Sequence, residues 1–160
     1  MPVGSNKRAE IRMTEREVAD FLAANFKVQV ATNGKDGAPH LVTMFYTLLD
    51  GKIAFTTYRT SQKVLNLRRD PAMTCLVEDG TEYNELRGVA LHGKGVVIED
   101  PEVRTKVGVV VGSRMAGLPV PEIGAPVDPA FVAGLEPALA KRVIVVMEPD
   151  RVMSWDHGKS

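Results

Sequence analysis

The chain has 160 residues and no formal net charge, with 20 basic and 20 acidic residues. Its length suits one domain with a real core, and a hydrophobic content of 44% with a charged content of 25% is typical of a soluble globular protein. Electrical neutrality gives no general attraction to nucleic acid or to an anionic membrane, so neither is an expected partner.

Cysteine usage and the first residues bear on the compartment. The single cysteine, Cys75, excludes an intrachain disulfide framework and fits a reducing environment. No apolar run approaches the ~20 residues that span a bilayer, and residues 1–17 lack the apolar core of an export signal. We therefore expect a cytoplasmic protein, with a flexible polar lead-in over 1–13 and a single domain over 14–160.

Hydrophobic periodicity predicts short helices between many strands. Thr14 and Glu17 form a capping-box pattern at the start of a helix, and two Asp-Pro pairs start later helices. The helices are expected over about 14–24, 101–112 and 129–141, and a proline-rich irregular loop over 115–129. Strand patterns cover 26–32, 39–49, 52–58, 72–78, 85–98, 142–147 and 151–155. Hairpin turns such as Asp50-Gly51 favour an antiparallel sheet of six or so strands, closed into a small barrel.

The stretch TTYRTSQKVLNLRRDP, residues 56–71, predicts a strand end, a polar turn and a short helix that stops at Pro71. A hydroxyl of Thr60 or Ser61 would cap this helix by accepting from its first N–H groups. The apolar stripe of the helix would be Val64, Leu65 and Leu67. Because a helix N-terminus attracts anions, a phosphate could bind there beside Lys63 in the first turn. A capped surface helix with a basic face is the simpler interpretation of this stretch alone.

Several common catalytic motifs are absent from the sequence. No G-x-G-x-x-G follows a strand, no P-loop pattern occurs, and no G-x-S-x-G elbow is present. His40, His92 and His157 lack metal-ligand spacing, so no metal site is expected. Cys75 lies in an apolar strand and is interpreted as a small buried hydrophobe. These absences disfavour metal-dependent and conventional hydrolytic chemistry.

A ring-binding surface is suggested by polar residues on the hairpin strands. His40 opens the second strand, where it would either hydrogen-bond locally or donate to a ring carbonyl of a ligand. A tight hairpin would bring Thr43 or Met44 next to two threonines of the third strand. These are Thr56 and Thr57, close in sequence to the helix start. A planar ligand with a phosphate could then lie across these strands, although threonine is common in strands for packing reasons alone.

Four segments carry a family resemblance: VATNGKDGAPHLVTMFY (30–46), FTTYRTSQKVLNLRRDP (55–71), LRGVALHGKGVVIEDPE (86–102) and PDRVMSWDHGKS (149–160). They resemble the pyridoxamine-phosphate-oxidase-like split β-barrel flavoproteins, and within them the actinobacterial branch of deazaflavin-dependent oxidoreductases, which use coenzyme F420. The resemblance covers nearly the whole domain, and S-x-K-x-x-N-L-R-R-D-P is its most specific segment. It implies a mainly β, six-stranded antiparallel split barrel in a homodimer with two cofactor sites at the interface.

The resemblance also implies roles for individual residues. The lysine that matches Lys63 binds the cofactor phosphate. The positions of Ser61, Gln62 and Asn66 would assist in binding this phosphate. The positions along the tricyclic ring would be His40, Leu41, Val42, Thr43, Met44, Thr56 and Thr57. Arg87 and Trp155 of the second subunit would complete the pocket. No catalytic residue or proton donor is identified in this way.

One departure from the family pattern bears on the cofactor. FMN-using members carry an R-x-V-L-L-K-like second strand whose arginine binds the phosphate, and HLVTMF over 40–45 has no cation. That loss disfavours tight FMN binding. We expect a reductase that transfers a hydride from reduced F420 to an unsaturated organic acceptor, such as a quinone, a biliverdin-like tetrapyrrole or an enone. An FMN-dependent oxidoreductase and a non-catalytic flavin- or haem-binding protein are the alternatives.

Overall fold

The computed structural model describes residues 6–159, so residues 1–5 of the predicted lead-in and Ser160 lie outside the described part. The strands are β1 (Lys27–Asn33), β2 (Pro39–Phe45), β3 (Thr47–Leu49), β4 (Lys52–Tyr58), β5 (Ala72–Asp79), β6 (Arg87–Ile98) and β7 (Arg142–Asp156). The helices are α1 (Lys7–Glu10), α2 (Glu15–Ala24), α3 (Gln62–Arg69), α4 (Pro101–Met115) and α5 (Pro129–Leu139).

Across residues 6–159, all the strands join in one seven-stranded sheet, in the order β2-β1-β5-β6-β7-β4-β3. Every pairing is antiparallel. The predicted mainly β, antiparallel architecture is confirmed, and the strand count is seven in place of six. Two differences from the prediction concern the continuity of the strands. The strand predicted over 39–49 breaks at Tyr46 into β2 and β3, and the strands predicted over 142–147 and 151–155 are one continuous β7.

β7 continues through a proline because its partner strand adapts. Pro149 has no N–H to give to a ladder, so a proline inside a strand normally marks an irregularity. The β6–β7 register shifts between His92 and Gly93, opposite this proline. A Cβ on Gly93 would collide with the carbonyl oxygen of Glu148, so the close approach of the two backbones requires glycine here.

Tyr46 joins the two edges of the sheet. β2 and β3 stand at opposite ends of the strand order, yet this one residue separates them in the chain. Its side chain is buried, its hydroxyl donates to the Leu22 carbonyl oxygen at 2.6 Å, and its N–H donates to the Phe26 carbonyl oxygen at 2.9 Å. The sheet must therefore curl enough to bring its two edge strands near each other, which produces a half-barrel around a core.

Two apolar clusters fill the fold. The larger lies inside the curled sheet, with Ile53, Phe55 and Cys75 almost fully buried. Burial raises the pKa of the Cys75 thiol to about 12, which agrees with its predicted role as a small hydrophobe. The second cluster packs α4 on the other face of β4 and β7. It contains Ala54, Val107, Val111, Ile144 and Val146.

The helix starts follow the capping patterns of the sequence. Thr14 and Glu17 form the full capping box of α2. Asp100 and Asp128 accept hydrogen bonds from the first N–H groups of α4 and α5. Within residues 6–159, no helix combines the length and apolar character needed to cross a bilayer.

The segment before α2 is hydrogen-bonded to the end of the sheet. The Asp156 N–H donates to the Ile11 carbonyl oxygen at 2.7 Å, and the Met13 N–H donates to Ser154 Oγ at 3.0 Å. The Lys159 ammonium lies 2.7 Å from the Glu17 carboxylate. These contacts attach residues 11–13 to the last strand.

Replacing Tyr46 with phenylalanine should lower the free energy of unfolding by about 1–2 kcal/mol at pH 7, because the Leu22 carbonyl loses its donor in a buried position. Burial holds the pKa of Tyr46 well above its ordinary value of 10.0. The unfolded chain therefore ionises first, and wild-type stability falls as pH rises above 10. Urea unfolding of both proteins at pH 7 and pH 10.5 measures this effect. The variant should lack the part of the decrease in unfolding free energy that ionisation of Tyr46 causes in wild type. Equal unfolding free energies at pH 7 would contradict the assignment.

Candidate functional site

Helix α3 turns two polar side chains inward. Its buried residues are Lys63, Val64, Asn66 and Leu67. The predicted stripe was wrong at Leu65, which is 49% exposed. The buried face follows helical spacing, but half of it is polar because neighbouring strands offer hydrogen-bond partners there. Because polar side chains are seldom buried, this face of α3 is a candidate functional site.

Lys63 is a buried cation without an acidic partner. Its residue is 8% exposed, and Nζ donates to Thr57 Oγ1 at 2.9 Å. Among residues 6–159, no ion pair joins it to a carboxylate. Burial lowers the pKa of the Lys63 ammonium, and the positive charge of Arg142 lowers it further. An ammonium in this position attracts an anion strongly, since little water screens it.

The N-terminus of α3 is open to a ligand. Ser61 is the N-cap residue, but the expected hydroxyl cap is absent, because Ser61 Oγ accepts from Thr57 Oγ1 at 3.1 Å. The N–H groups of Val64 and Leu65 donate to the Ser61 carbonyl oxygen. The first N–H groups of α3 therefore lack a side-chain cap, and they point along the positive end of the helix dipole. This end of α3 can accept phosphate oxygens next to Lys63.

Asn66 ties α3 to the β1–β2 hairpin. It is fully buried, and its Nδ2 donates to Thr32 Oγ1 at 3.1 Å. Its Oδ1 accepts from Gln62 Nε2 at 2.8 Å, and the Arg69 guanidinium approaches the same oxygen at 3.4 Å. Arg69 also donates to the Asn33 carbonyl oxygen. These bonds fix the helix start relative to the strand that carries His40.

His40 lines an open cavity beside α3. It pairs with Thr32 across β1 and β2, and its Nδ1 is buried without a hydrogen-bond partner among residues 6–159. The cavity has a volume of ≈ 670 Å³ and is lined by Gly34, Lys35, Asp36, Ala38, Pro39, His40, Gln62 and Asn66. An orphaned ring nitrogen at a cavity wall can serve a ligand, because it lacks a partner of its own.

The remaining predicted positions of β2 divide between its two faces. Val42 and Met44 pack against the barrel core. Leu41 is 67% exposed, and Thr43 is also exposed. Alternation along a strand explains this division, and it means that the five positions 40–44 cannot all face one ligand in a single copy.

The expected contact between β2 and the threonine pair of β4 was wrong. β4 pairs with β3 and β7, while β1 is the one strand among residues 6–159 that pairs with β2. The break at Tyr46 causes this, because it turns the chain before the hairpin. Thr57 faces Lys63, whereas Thr56 accepts a hydrogen bond from Arg142 Nη1 at 3.3 Å.

Arg142 is a site residue that sequence reasoning missed. It starts β7, directly opposite Tyr58 in the register, and its guanidinium stacks 4.3 Å from the centre of the Tyr58 ring. Arg142 thus brings a cation to the end of β4 from a distant part of the chain. The apolar run that follows Arg142 pointed only to a buried strand, and no local pattern connected this residue to α3.

The comparison with known proteins places the chain in a family. Residues 14–156 match the family described as pyridoxamine 5'-phosphate oxidase. The chain belongs to the pyridoxamine 5'-phosphate oxidase family. None of the curated proteins matches the sequence.

Solved structures share this family fold. The conserved hypothetical protein Rv2991 from Mycobacterium tuberculosis is 40% identical, with a TM-score of 0.85 over 97% of this chain and 92% of that chain. A structure described as an F420 reductase is 22% identical, with a TM-score of 0.58 over 83% and 93%. A FAD-binding protein from Mesorhizobium loti is 16% identical, with a TM-score of 0.65 over 89% and 94%. The last two likenesses show the fold alone.

Two predicted site residues of this family member lie away from Lys63. Arg87 makes a two-pronged ion pair with Asp79, with N···O distances of 3.1 and 2.8 Å. Trp155 covers Gly88, where a Cβ would collide with the indole. Arg87 pairs with Asp79, and Trp155 pairs with Gly88, beside the turn of the β5–β6 hairpin, whereas Gly95 of β6 lies against Leu67 of α3. Gly88 and Gly95 are seven residues apart in β6, which is roughly 23 Å along the strand. One copy does not bring them to the cavity beside His40.

The proline-rich segment lies over α4. A cavity of ≈ 180 Å³ separates the two, lined by residues that include Val109, Glu122 and Val127. Ile123 packs against the cluster between α4 and the sheet. The predicted use of this segment as a lid or a substrate-side wall stays a prediction.

Replacing Lys63 with methionine should raise the free energy of unfolding by about 1 kcal/mol at pH 7, because it removes a buried charge that has no acid partner. The lowered pKa of Lys63 means that the unfolded chain binds this proton more tightly. The unfolding free energy of wild type therefore increases as pH rises toward 10.5, the ordinary pKa of lysine, and the difference in stability between the variant and wild type shrinks. Denaturant unfolding of both proteins at pH 7 and pH 9.5 checks this. An advantage that stays constant with pH would contradict the buried-charge account.

Proposed function

We propose that this protein is an F420-dependent reductase, which transfers a hydride from reduced deazaflavin to an unsaturated organic acceptor. The observation that carries the proposal is Lys63, a buried ammonium with no carboxylate partner among residues 6–159, placed at an uncapped helix start. A charge in such a position destabilises the fold unless a bound anion compensates it. A cofactor phosphate supplies that anion.

The cofactor would bind along the line from α3 to β2. Its phosphate would accept from Lys63 Nζ, from Ser61 Oγ and from the first N–H groups of α3. Its ring would occupy the cavity beside His40, whose orphaned Nδ1 can meet a ring heteroatom once the tautomer suits it. Gln62 and Asn66 line the same cavity and offer amide groups to the ring or to its linker.

The chain itself would bind the cofactor, orient it and shield it from water. Bound deazaflavin would supply the hydride chemistry. The buried wall formed by Thr57 and Asn66 keeps water from the phosphate end. The acceptor would lie on the open side of the cavity, and quinones, biliverdin-like tetrapyrroles and enones all present the flat, apolar shape that such a surface accepts.

A homodimer belongs to the proposal, because one copy leaves the site incomplete. The outward faces of five strands form continuous rows across β2, β1, β5, β6 and β7. One row runs from Thr43 through Leu76 to Met153, which is 41% exposed, and Leu41 begins the next row at 67% exposed. A second copy packed on these rows would bury both side chains. It would also offer a route for the remote Arg87 and Trp155 to reach the cavity of the first copy.

An FMN-dependent oxidoreductase is the second candidate. Arg142 favours it, because it gives the phosphate end two cations despite the neutral β2. The phosphate of FMN approaches two negative charges at neutral pH, as other phosphate monoesters do.

The deciding experiment is titration of the purified wild-type protein with oxidised F420 and, separately, with FMN, followed by cofactor fluorescence. We expect F420 to bind at least tenfold more tightly than FMN. Reduced F420 should then be consumed on addition of a quinone or biliverdin. Tighter binding of FMN would assign the protein to the second candidate, and binding of neither would overturn the proposed function.

A further inference from the structure

The cations around the start of α3 fall into two groups. Arg59 and Arg68 both approach the carboxylate of Glu99, at 2.8 and 3.7 Å. Lys63 and Arg142 have no such acid among residues 6–159, and each is bonded to a threonine hydroxyl instead. The outer pair of charges therefore shares one carboxylate, whereas the inner pair has no carboxylate partner within the described residues.

Arg142 is held in a defined orientation. Its guanidinium lies against the Tyr58 ring, with 4.3 Å from Cζ to the ring centre, and Nη1 donates to Thr56 Oγ1 at 3.3 Å. A guanidinium has five N–H donors in a rigid fork, so most of them remain free. Because the stacking fixes the plane of the fork, little side-chain freedom is lost when an anion binds to it.

The two inner cations flank the end of β4. Thr56 and Thr57 are consecutive, and consecutive residues of a strand point to opposite faces. Lys63 is hydrogen-bonded to Thr57 and Arg142 to Thr56, so the two cations lie on opposite sides of the strand end. Because the Cα atoms of consecutive residues are about 3.8 Å apart, both cations lie at the same end of β4, and the charge of Arg142 contributes to lowering the pKa of Lys63. Two charges in this arrangement suit two negative groups on one ligand better than a single group that both would share.

We propose that Arg142 is a second anion-binding residue, which holds a further phosphate or carboxylate oxygen of the ligand whose phosphate lies at Lys63. The inference rests on the proposed function for the ligand's identity. It adds a specificity: the site selects an organic anion with two neighbouring negative charges over a ligand with one charge or none. Tyr58 is a positioning residue in this arrangement, because it acts only through the guanidinium.

Two ligand pairs test the role of Arg142 in the full-length protein. One pair is F420 and the deazaflavin that lacks the phosphate and its carboxylate tail; the other is FMN and riboflavin. In whichever pair binds, Arg142→Leu should weaken the affinity for the anionic ligand by about tenfold or more. It should change the affinity for the uncharged ligand by less than twofold. The pair that responds identifies the source of the second charge. Arg142→Gln repeats the test if the leucine variant folds poorly. Equal weakening within a pair would overturn the proposal.

Tyr58 provides the matched control. Tyr58→Phe keeps the ring and should bind the anionic ligand as wild type does. Tyr58→Ala should show a large part of the loss of affinity that Arg142→Leu shows. In the double variant Tyr58→Ala, Arg142→Leu, the two losses should not add, because both act through one guanidinium. Fully additive losses would contradict the positioning role.

Inorganic pyrophosphate separates this inference from the proposed function. If wild-type protein binds no flavin or deazaflavin, pyrophosphate should still raise its melting temperature, and Arg142→Leu and Lys63→Met should each reduce that rise. Such a result would sustain the two-cation site while the proposed function fails. A rise that is unchanged in Arg142→Leu, or no rise in wild type, would remove the two-cation site as well.

Discussion

Replacing Lys63 with alanine is expected to weaken binding of the phosphate-bearing cofactor at least 100-fold, or about 3 kcal/mol, since truncating one partner of a buried charge pair typically has that effect. The reason is the position of the ammonium, which is 8% exposed and bonded only to Thr57 Oγ1 within the described residues. Fluorescence titration of wild type and variant with the same cofactor measures the change.

Two further variants make that result specific. Lys27→Ala removes an exposed lysine from the far end of β1 and should leave the affinity within twofold of wild type, since it controls for loss of one positive charge. Lys63→Met should lose as much affinity as Lys63→Ala while the protein becomes more stable. Loss of binding in a stabilised protein cannot come from unfolding. Unchanged affinity in either Lys63 variant would remove the phosphate assignment.

Replacing Asn66 with alanine is expected to lower the free energy of unfolding by about 2–3 kcal/mol, because it removes a fully buried side chain and leaves the buried Thr32 hydroxyl without its donor. Thr32 Oγ1 would lose its donor, and Gln62 Nε2 would lose its acceptor. The start of α3 would also loosen relative to β1, so cofactor affinity should fall together with stability. Chemical denaturation and titration of one preparation give both quantities.

Gln62→Ala is the comparison variant for Asn66. Gln62 is exposed and shares only one of these hydrogen bonds, so its replacement should change the unfolding free energy by less than about 0.5 kcal/mol. If Asn66→Ala also changed the unfolding free energy by less than this amount, the hydrogen bonds of Asn66 with Thr32 and Gln62 would not stabilise the fold. Their proposed role in positioning α3 would then be wrong.

Local chemistry made much of the fold predictable from sequence. The capping box of Thr14 and the Asp-Gly turn at Asp50 act within a few residues, so their patterns specify their structures. Period-two alternation placed the strands for the same reason. The break at Tyr46 was missed, because its cause is a hydrogen bond to Leu22, a residue on another element that no local pattern connects to it.

The site was less predictable, because its parts meet only through the fold. Lys63 and the helix start were visible in one stretch of sequence, and so was their suitability for a phosphate. Leu65 was placed in the buried stripe because apolar residues usually fill such stripes, yet Asn66 is buried there with partners from β1 and α3. Arg142 reaches Thr56 from 86 residues away in the chain, a distance that periodicity and spacing do not bridge.

The central claim is that the start of α3 binds the cofactor phosphate, and a crystal structure of the wild-type protein with oxidised F420 tests it most directly. We expect the phosphate oxygens within about 3 Å of Lys63 Nζ and of the first N–H groups of α3, with the deazaflavin ring in the cavity beside His40. A well-ordered cofactor whose phosphate lies elsewhere, with Lys63 Nζ still bonded to Thr57 Oγ1 alone, would contradict the claim.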